Sequence, residues 1–380
     1  MSPKICVFTG TRAEYGLLRS VIRELMGGCT DVTLLVSGSH VSKSYGQTVN
    51  EIKADALAPL LQIDIGLNDN TPTGICAAMG RAMGKYGRIL NEHRPDVLVV
   101  LGDRYESFCA VAAAVVQRVP VAHLYGGETT LGAVDEYFRN AMTTMAQLHF
   151  TSCEKYRQKV IKLGADPAKT WNVGALGVEN VKNLRVLPVK EVRTYLGIPD
   201  GEEWLLATWH PETMSEAIPV AQVATLAKAL DALAPMHIVF TGANADHGGQ
   251  AVNDWLRQWA KQSPRHHFFM SLGVERYLNA ARYAKAVVGN SSSGVIELPS
   301  LHIPILDIGE RQKGRERAAC VIHSDFNQDS IASTLKILLS QETLIAAEHE
   351  SNPYERPATA QTIAEILTRH VRKVNSDAAK

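Results

Sequence analysis

Ala286-Val287-Val288-Gly289-Asn290-Ser291-Ser292-Ser293-Gly294-Val295-Ile296-Glu297 is the stretch on which the fold turns. A short apolar run stops at a glycine, three hydroxyls follow, and a helical pattern opens behind them. This is a strand feeding a helix, the unit from which parallel sheets covered by helices are built. N–H groups and hydroxyls gathered at the positive end of a helix make a cradle for phosphate. Glu297, one turn into that helix, is placed to take both hydroxyls of a ribose. The glycines are wrongly spaced for Gly-x-Ser-x-Gly, so no nucleophile elbow is implied.

The same alternation extends on both sides. Apolar runs recur at Trp204–Trp209, Ile238–Thr241, His267–Met270 and Ile303–Ile308, and earlier at Ile5–Thr9, Val32–Val36, Val97–Leu101, Val119–Leu124 and Leu148–Thr151. Between the two series, Asn183–Asp200 carries Pro188 and Pro199 and reads as a linker. A chain of 380 residues also exceeds what one core holds, since single cores stop growing near about 250–300 residues. The expectation is an α/β protein of two Rossmann-like, doubly wound domains, 1–181 and 182–355, with a helix over 356–380 packing back on the N-terminal domain.

Lys plus Arg and Asp plus Glu balance at 39 each, which leaves no overall field to hold nucleic acid or an anionic membrane. No apolar stretch approaches the ~20 residues of a membrane span. The six cysteines are scattered without a C-x-x-C pair, as free thiols in a reducing compartment would be. Met1-Ser2-Pro3-Lys4 leads straight into a strand rather than an export signal, so a cytoplasmic location is expected.

Ligands of open α/β sheets collect beyond the carboxyl ends of strands. The first run ends in Gly10-Thr11-Arg12, where helix-start N–H groups and a guanidinium suit a phosphate. The Gly-x-Gly-x-x-Gly fingerprint of NAD is absent there. Gly102-Asp103-Arg104-Tyr105-Glu106 sets charges at the end of a buried strand, as a site or as an Asp103–Arg104 capping pair. His123-Leu124-Tyr125-Gly126-Gly127-Glu128 and Asp135 offer two carboxylates from one glycine-rich loop, as general acid and base require. His123 itself reads equally as a buried strand residue. His210, stiffened by Pro211, is a candidate for proton transfer or diphosphate contact. Asn244 follows the next strand, as a sugar or nucleoside contact or as an ordinary turn. Gly309–Arg317 brings cations to the same edge. Gly80–Lys85 is one residue short of a P-loop, and no metal-ligand spacing occurs, so neither metal nor cofactor is expected.

In this order the motifs resemble the hydrolysing UDP-N-acetylglucosamine 2-epimerase family. They are Gly10–Tyr15, Gly102-Asp103-Arg104, Gly126-Gly127-Glu128, Asp135, Arg139, His210, Gly289–Ser292 with Glu297, and Arg311-Gln312 with Gly314-Arg315. The resemblance implies a GT-B architecture with two domains facing a cleft, a nucleotide-sugar substrate, and a homodimer or homotetramer. It implies that Arg12, Ser291, Ser292 and Arg311 bind the diphosphate and Glu297 the ribose. Asp103, Asp135 and His210 would serve the chemistry, with Arg104, Arg139 and Asn244 beside the substrate.

One position departs from that pattern: the sialic-acid branch of the family carries Glu where this chain has Tyr125, and Glu128 is then expected to supply the carboxylate. The departure also leans the substrate toward nucleotide-linked 2,4-diacetamido-6-deoxy sugars. Two other readings compete, a GT-B glycosyltransferase and a non-catalytic sugar-nucleotide sensor. The three acidic residues Asp103, Glu128 and Asp135 favour elimination over transfer, and with His210 they argue against a sensor.

Overall fold

The computed structural model of the chain describes residues 2–28, 30–43, 46–69, 71–130, 134–211, 218–243, 248–348 and 351–378. The chain divides into two compact units, the first made of Met1–Glu128, Val134–Leu176 and Arg356–Lys380, the second of Thr129–Ala133 and Gly177–Glu355.

The first unit holds seven parallel strands: β1 Lys4–Thr9, β2 Asp31–Val36, β3 Leu60–Gln62, β4 Val97–Leu101, β5 Val121–Leu124, β6 Leu148–Thr151 and β7 Thr170–Asn172. Their spatial order is β3-β2-β1-β4-β5-β6-β7. The second holds six: β8 Trp204–Thr208, β9 His237–Thr241, β10 His266–Phe269, β11 Ala286–Gly289, β12 Ile305–Ile308 and β13 Val321–Ser324, in the order β10-β9-β8-β11-β12-β13. Central strands such as β4 (VLVVL) and β8 (WLLAT) are buried throughout, because helices cover both faces.

The order reverses between β1 and β4 in one sheet and between β8 and β11 in the other. At such a switch point the connections leave to opposite faces and open a crevice at the carboxyl edge. Four segments therefore lie where ligands bind: Gly10–Arg12, Gly102–Glu106, Trp209–His210 and Asn290–Ser292.

Helix Arg12–Gly27 buries Tyr15, Leu18, Ile22 and Leu25 along one stripe. The final helix, Thr359–Ala378, buries Ile363, Leu367 and Val371 in that same core. Each such side chain contributes about 1.5–3 kcal/mol on leaving water. Thr359 Oγ1 donates to the Val173 carbonyl at 2.8 Å and fixes where the helix begins.

The division falls between Leu176 and Gly177 rather than at 181/182. Within the second unit Gly177 packs on Glu297 and Lys182 pairs with Glu355 at 2.6 Å, which draws the start of that segment across. The described cysteines are free thiols. Among the described residues no helix is long and apolar enough to cross a membrane.

Candidate active site

At the β1 edge, Thr11 and Glu14 form a capping box: Glu14 N–H donates to Thr11 Oγ1, while Glu14 Oε2 accepts from the Gly10 N–H at 2.7 Å and the Thr11 N–H at 3.2 Å. The donors expected to meet a phosphate here are therefore taken by a side chain of the same turn. Glu14 is buried, and its Oε1 has no hydrogen-bond partner. Burial pushes this carboxyl up to about 8, against the Gly10 N–H and the Arg104 charge. Arg12 lies at the surface, paired with Glu51 at 3.1 Å.

At the β4 edge Gly102 turns the chain with φ +84. Asp103 and Arg104 do not form the capping pair. Arg104 pairs with the wholly buried Glu106 at 3.2 Å, and Asp103 pairs with Arg139, itself buried. Arg139 continues to Glu136 at 3.5 Å, and Glu136 to Lys159 at 3.1 Å. Asp135 opens the helix Asp135–Met145. Burial raises its carboxyl to about 6, the Asp103 charge adds to the rise, and Arg104 and Arg139 oppose it. Asp103, Asp135, Arg104 and Arg139 thus form one electrostatic cluster, as like-charged carboxyls held together between cations do.

At the β5 edge His123 is a structural residue: one ring nitrogen meets the Gly102 carbonyl at 2.8 Å and the other Thr143 Oγ1 at 3.2 Å. Burial drops its pKa to about 4, so the ring is neutral. Tyr125 takes the left-handed conformation, φ 66, and its Oη accepts the Leu176 N–H at 2.7 Å. A Cβ on Gly127 would stand 2.8 Å from the Tyr156 carbonyl oxygen, so this glycine provides close approach as well as bending. Glu128 is buried, and its Oε1 accepts from the Ser152 hydroxyl at 2.6 Å. Gly132 lies outside the described residues.

In the second unit β8 and β11 are clasped at their ends. The Asn290 amide accepts the His210 N–H and donates to the His210 carbonyl, both at 2.8 Å. A Cβ on Gly289 would stand 1.9 Å from the Thr208 carbonyl oxygen, so only glycine lets the strands close up. Arg311 and Gln312 both donate to the Asn290 carbonyl, at 3.0 and 2.9 Å. Burial, then the Arg311 charge, drops His210 to about 3, leaving a neutral imidazole.

Ser291 caps the helix Ser292–Ile296 with its backbone and spends no side-chain bond on it. Ser293 Oγ donates to Glu297 Oε2 at 3.1 Å, and burial raises the Glu297 carboxyl. Arg315 Nε donates to the Thr129 carbonyl at 3.2 Å. Asn244 lies outside the described residues. Exposed Glu310, half-buried His323 and exposed Asp325 offer ligand atoms within 4.8 Å of one another, with Lys313 already paired to Glu310.

Sequence reasoning missed Glu14, Ser152, Lys159 and Gly177. Glu14 had a signal, the Thr-x-x-Glu of a capping box before an apolar run. The others meet their partners only through the fold.

A family model described as UDP-N-acetylglucosamine 2-epimerase matches residues 27–368. The chain is 35% identical over 327 residues to the GDP/UDP-N,N'-diacetylbacillosamine 2-epimerase (hydrolyzing) of Campylobacter jejuni, covering 85% of each chain. It is 32% identical over 376 residues to polysialic acid biosynthesis protein P7 of Escherichia coli, covering 98% of this chain and 96% of that one. A crystal structure of the Neisseria meningitidis UDP-GlcNAc 2-epimerase bound to UDP-GlcNAc superimposes with a TM-score of 0.79 at 16% identity, covering 96% of this chain and 99% of that one. With the two parallel sheets, that likeness bears out the doubly wound α/β fold of GT-B type.

Proposed function

The chain belongs to the UDP-N-acetylglucosamine 2-epimerase family, and from that premise we propose that it is a hydrolysing 2-epimerase of a nucleotide-linked 2,4-diacetamido-6-deoxy sugar. The products are the nucleoside diphosphate and the free 2-epimer. The likeness to the hydrolysing diacetylbacillosamine 2-epimerase of Campylobacter jejuni supports the hydrolytic type and the substrate class. The observation that carries the reading is the coupled pair Asp103 and Asp135 between Arg104 and Arg139.

No carbonyl adjoins C2 of such a sugar, so its proton leaves only as the nucleotide departs from C1. A carboxylate takes the C2 proton, the C–H electrons form the C1–C2 double bond, and the C1–O electrons leave with the diphosphate. An acid then delivers a proton to C2 on the opposite face, and water adds its oxygen to C1 of this glycal while its own proton passes to a carboxylate or to solvent, leaving the C1 hydroxyl. Asp103, paired with Arg139, suits the base. Asp135, raised to about 6, keeps enough protonated form near neutrality to serve as the acid. Glu128, fixed by Ser152, is the third carboxylate assigned to the proton transfers.

In the second unit Ser291, Ser292 and Arg311 hold the diphosphate, and Glu297 takes the ribose. His210, neutral, serves as a hydrogen-bonding contact to the leaving group. Donors fixed in advance where charge develops commonly contribute several kcal/mol to such a step.

The test is turnover of UDP- and GDP-linked amino sugars in heavy water, followed by NMR. One deuterium at C2 of a free, inverted sugar is expected, together with stoichiometric nucleoside diphosphate. A product retaining only its original C2 hydrogen would mean hydrolysis or transfer without epimerisation.

A further inference from the structure

The chain passes from the first unit to the second at the peptide between Leu176 and Gly177. Each residue is tied, within its own unit, to a group already described. The Leu176 N–H donates to Tyr125 Oη at 2.7 Å. A Cβ on Gly177 would lie 2.2 Å from Glu297 Oε1, 2.6 Å from Cδ and 2.7 Å from Cγ. The Glu297 side chain thus occupies the space that any other residue at 177 would fill.

Gly177 lies within the helix Leu176–Lys182 and has no positive φ, so the backbone does not demand glycine there. Glycine inside a helix costs about 0.5–1 kcal/mol relative to alanine. What it provides in return is room. Glu297 is also restrained from the other side, because Ser293 Oγ holds Oε2 at 3.1 Å. A carboxylate pinned through Oε2 and seated against bare backbone through Oε1 has one orientation.

We infer that Gly177 is a positioning residue for Glu297. The inference rests on the reading of Glu297 as the carboxylate that takes the ribose hydroxyls. A merely structural glycine would affect every nucleotide alike. A positioning glycine affects the discrimination between ribose and 2′-deoxyribose, because only the hydroxyls read by Glu297 are lost.

The experiment is calorimetric titration of the full chain with UDP or GDP, whichever binds more tightly, and with its 2′-deoxy counterpart. Wild type is expected to prefer the ribose form by about tenfold, the size of one hydrogen bond to a charged group. Gly177→Ala is expected to erase that preference while leaving the 2′-deoxy affinity within about twofold. Alanine raises helix propensity, so its melting temperature should not fall. Adding Glu297→Asp to Gly177→Ala retracts the carboxylate by about one C–C bond, some 1.5 Å, and should restore part of the preference. If Gly177→Ala keeps the full preference while Glu297→Gln abolishes it, the positioning role is wrong and the ribose reading stands. If Glu297→Gln keeps it too, the ribose reading fails and this inference falls with it.

Discussion

At the carboxyl edge of the first sheet, between β1 and β4, the described side chains are charged and enclosed: Glu14 and Glu106 buried, Asp103 on buried Arg139, and Arg104 on Glu106. At the matching edge of the second sheet, between β8 and β11, they are hydroxyls, the Asn290 amide and a neutral His210, with Arg311 as the cation donating to the Asn290 carbonyl. The topology of the two places is the same and their electrostatics are opposed. Two carboxyls of the first are raised, Glu14 to about 8 and Asp135 to about 6, so protons move there near neutral pH. The imidazole of the second titrates at about 3, so at neutral pH His210 is a fixed neutral donor and acceptor. A switch point supplies a place, and the residues that follow each strand decide whether it moves protons or holds an anion.

The sharpest way to break this division is at Asp103. Asp103→Asn should lower kcat by about a thousandfold, in the range of a lost general base, with nucleoside diphosphate affinity unchanged by calorimetry. Arg139 keeps Glu136 at 3.5 Å, so the fold should survive. An active Asp103→Asn enzyme would move the base elsewhere. Glu128→Gln comes next, at about a hundredfold in kcat with nucleotide affinity retained. The Gln Oε1 can still accept from Ser152, so lost turnover would report lost charge rather than lost packing. Full activity would make Glu128 a packing residue of the Gly126-Gly127 loop. On the other side, Ser291→Ala with Ser292→Ala should weaken nucleoside diphosphate binding by about tenfold, the value of one or two net hydrogen bonds. Turnover at saturation should change less than affinity. Unchanged affinity would remove the hydroxyls from the cradle.

What could be read in advance follows the same physics. The central strands β1, β4, β8 and β11 are covered on both faces, so they appear in the sequence as unbroken apolar runs. The edge strands β3, β7 and β13 have three or four residues with half-exposed positions, and no such run marks them. Asp103 and Asp135 are legible because charges at the end of a buried strand or in a glycine-rich loop need a reason. Their partners are not, since Asp103 meets Arg139 across 36 residues. At the β1 turn the N–H donors that suggest an anionic ligand in the sequence are met by the Glu14 carboxyl of the same turn, a contact that only the fold shows.

The smallest expected effect separates the two regions by pH. Asp135 titrates near 3.8 when unperturbed and at about 6 in the folded chain. Below both values it is protonated in either state and imposes no electrostatic penalty. Between them the folded state holds a proton that the unfolded chain has released, so stability declines as pH rises through that window. Above about 6 the folded chain bears the whole cost of an ionised Asp135 beside Asp103, relieved in part by Arg104 and Arg139. Asp135→Asn removes that charge, so it should raise the melting temperature at pH 8 by about 1–3 °C and at pH 4.5 by only about a third as much. His210→Asn provides the contrast. Its imidazole is neutral in the folded chain at both pH values, but the unfolded chain, with a histidine at the ordinary 6.5, takes up a proton at pH 4.5, so removing it should raise the melting temperature at pH 4.5 relative to pH 8, the opposite sense to Asp135→Asn. Calorimetric melting of both variants decides it. A gain for Asp135→Asn of equal size at pH 4.5 and 8 would show that its carboxyl is not raised, and the acid role assigned to it would have to pass to another residue.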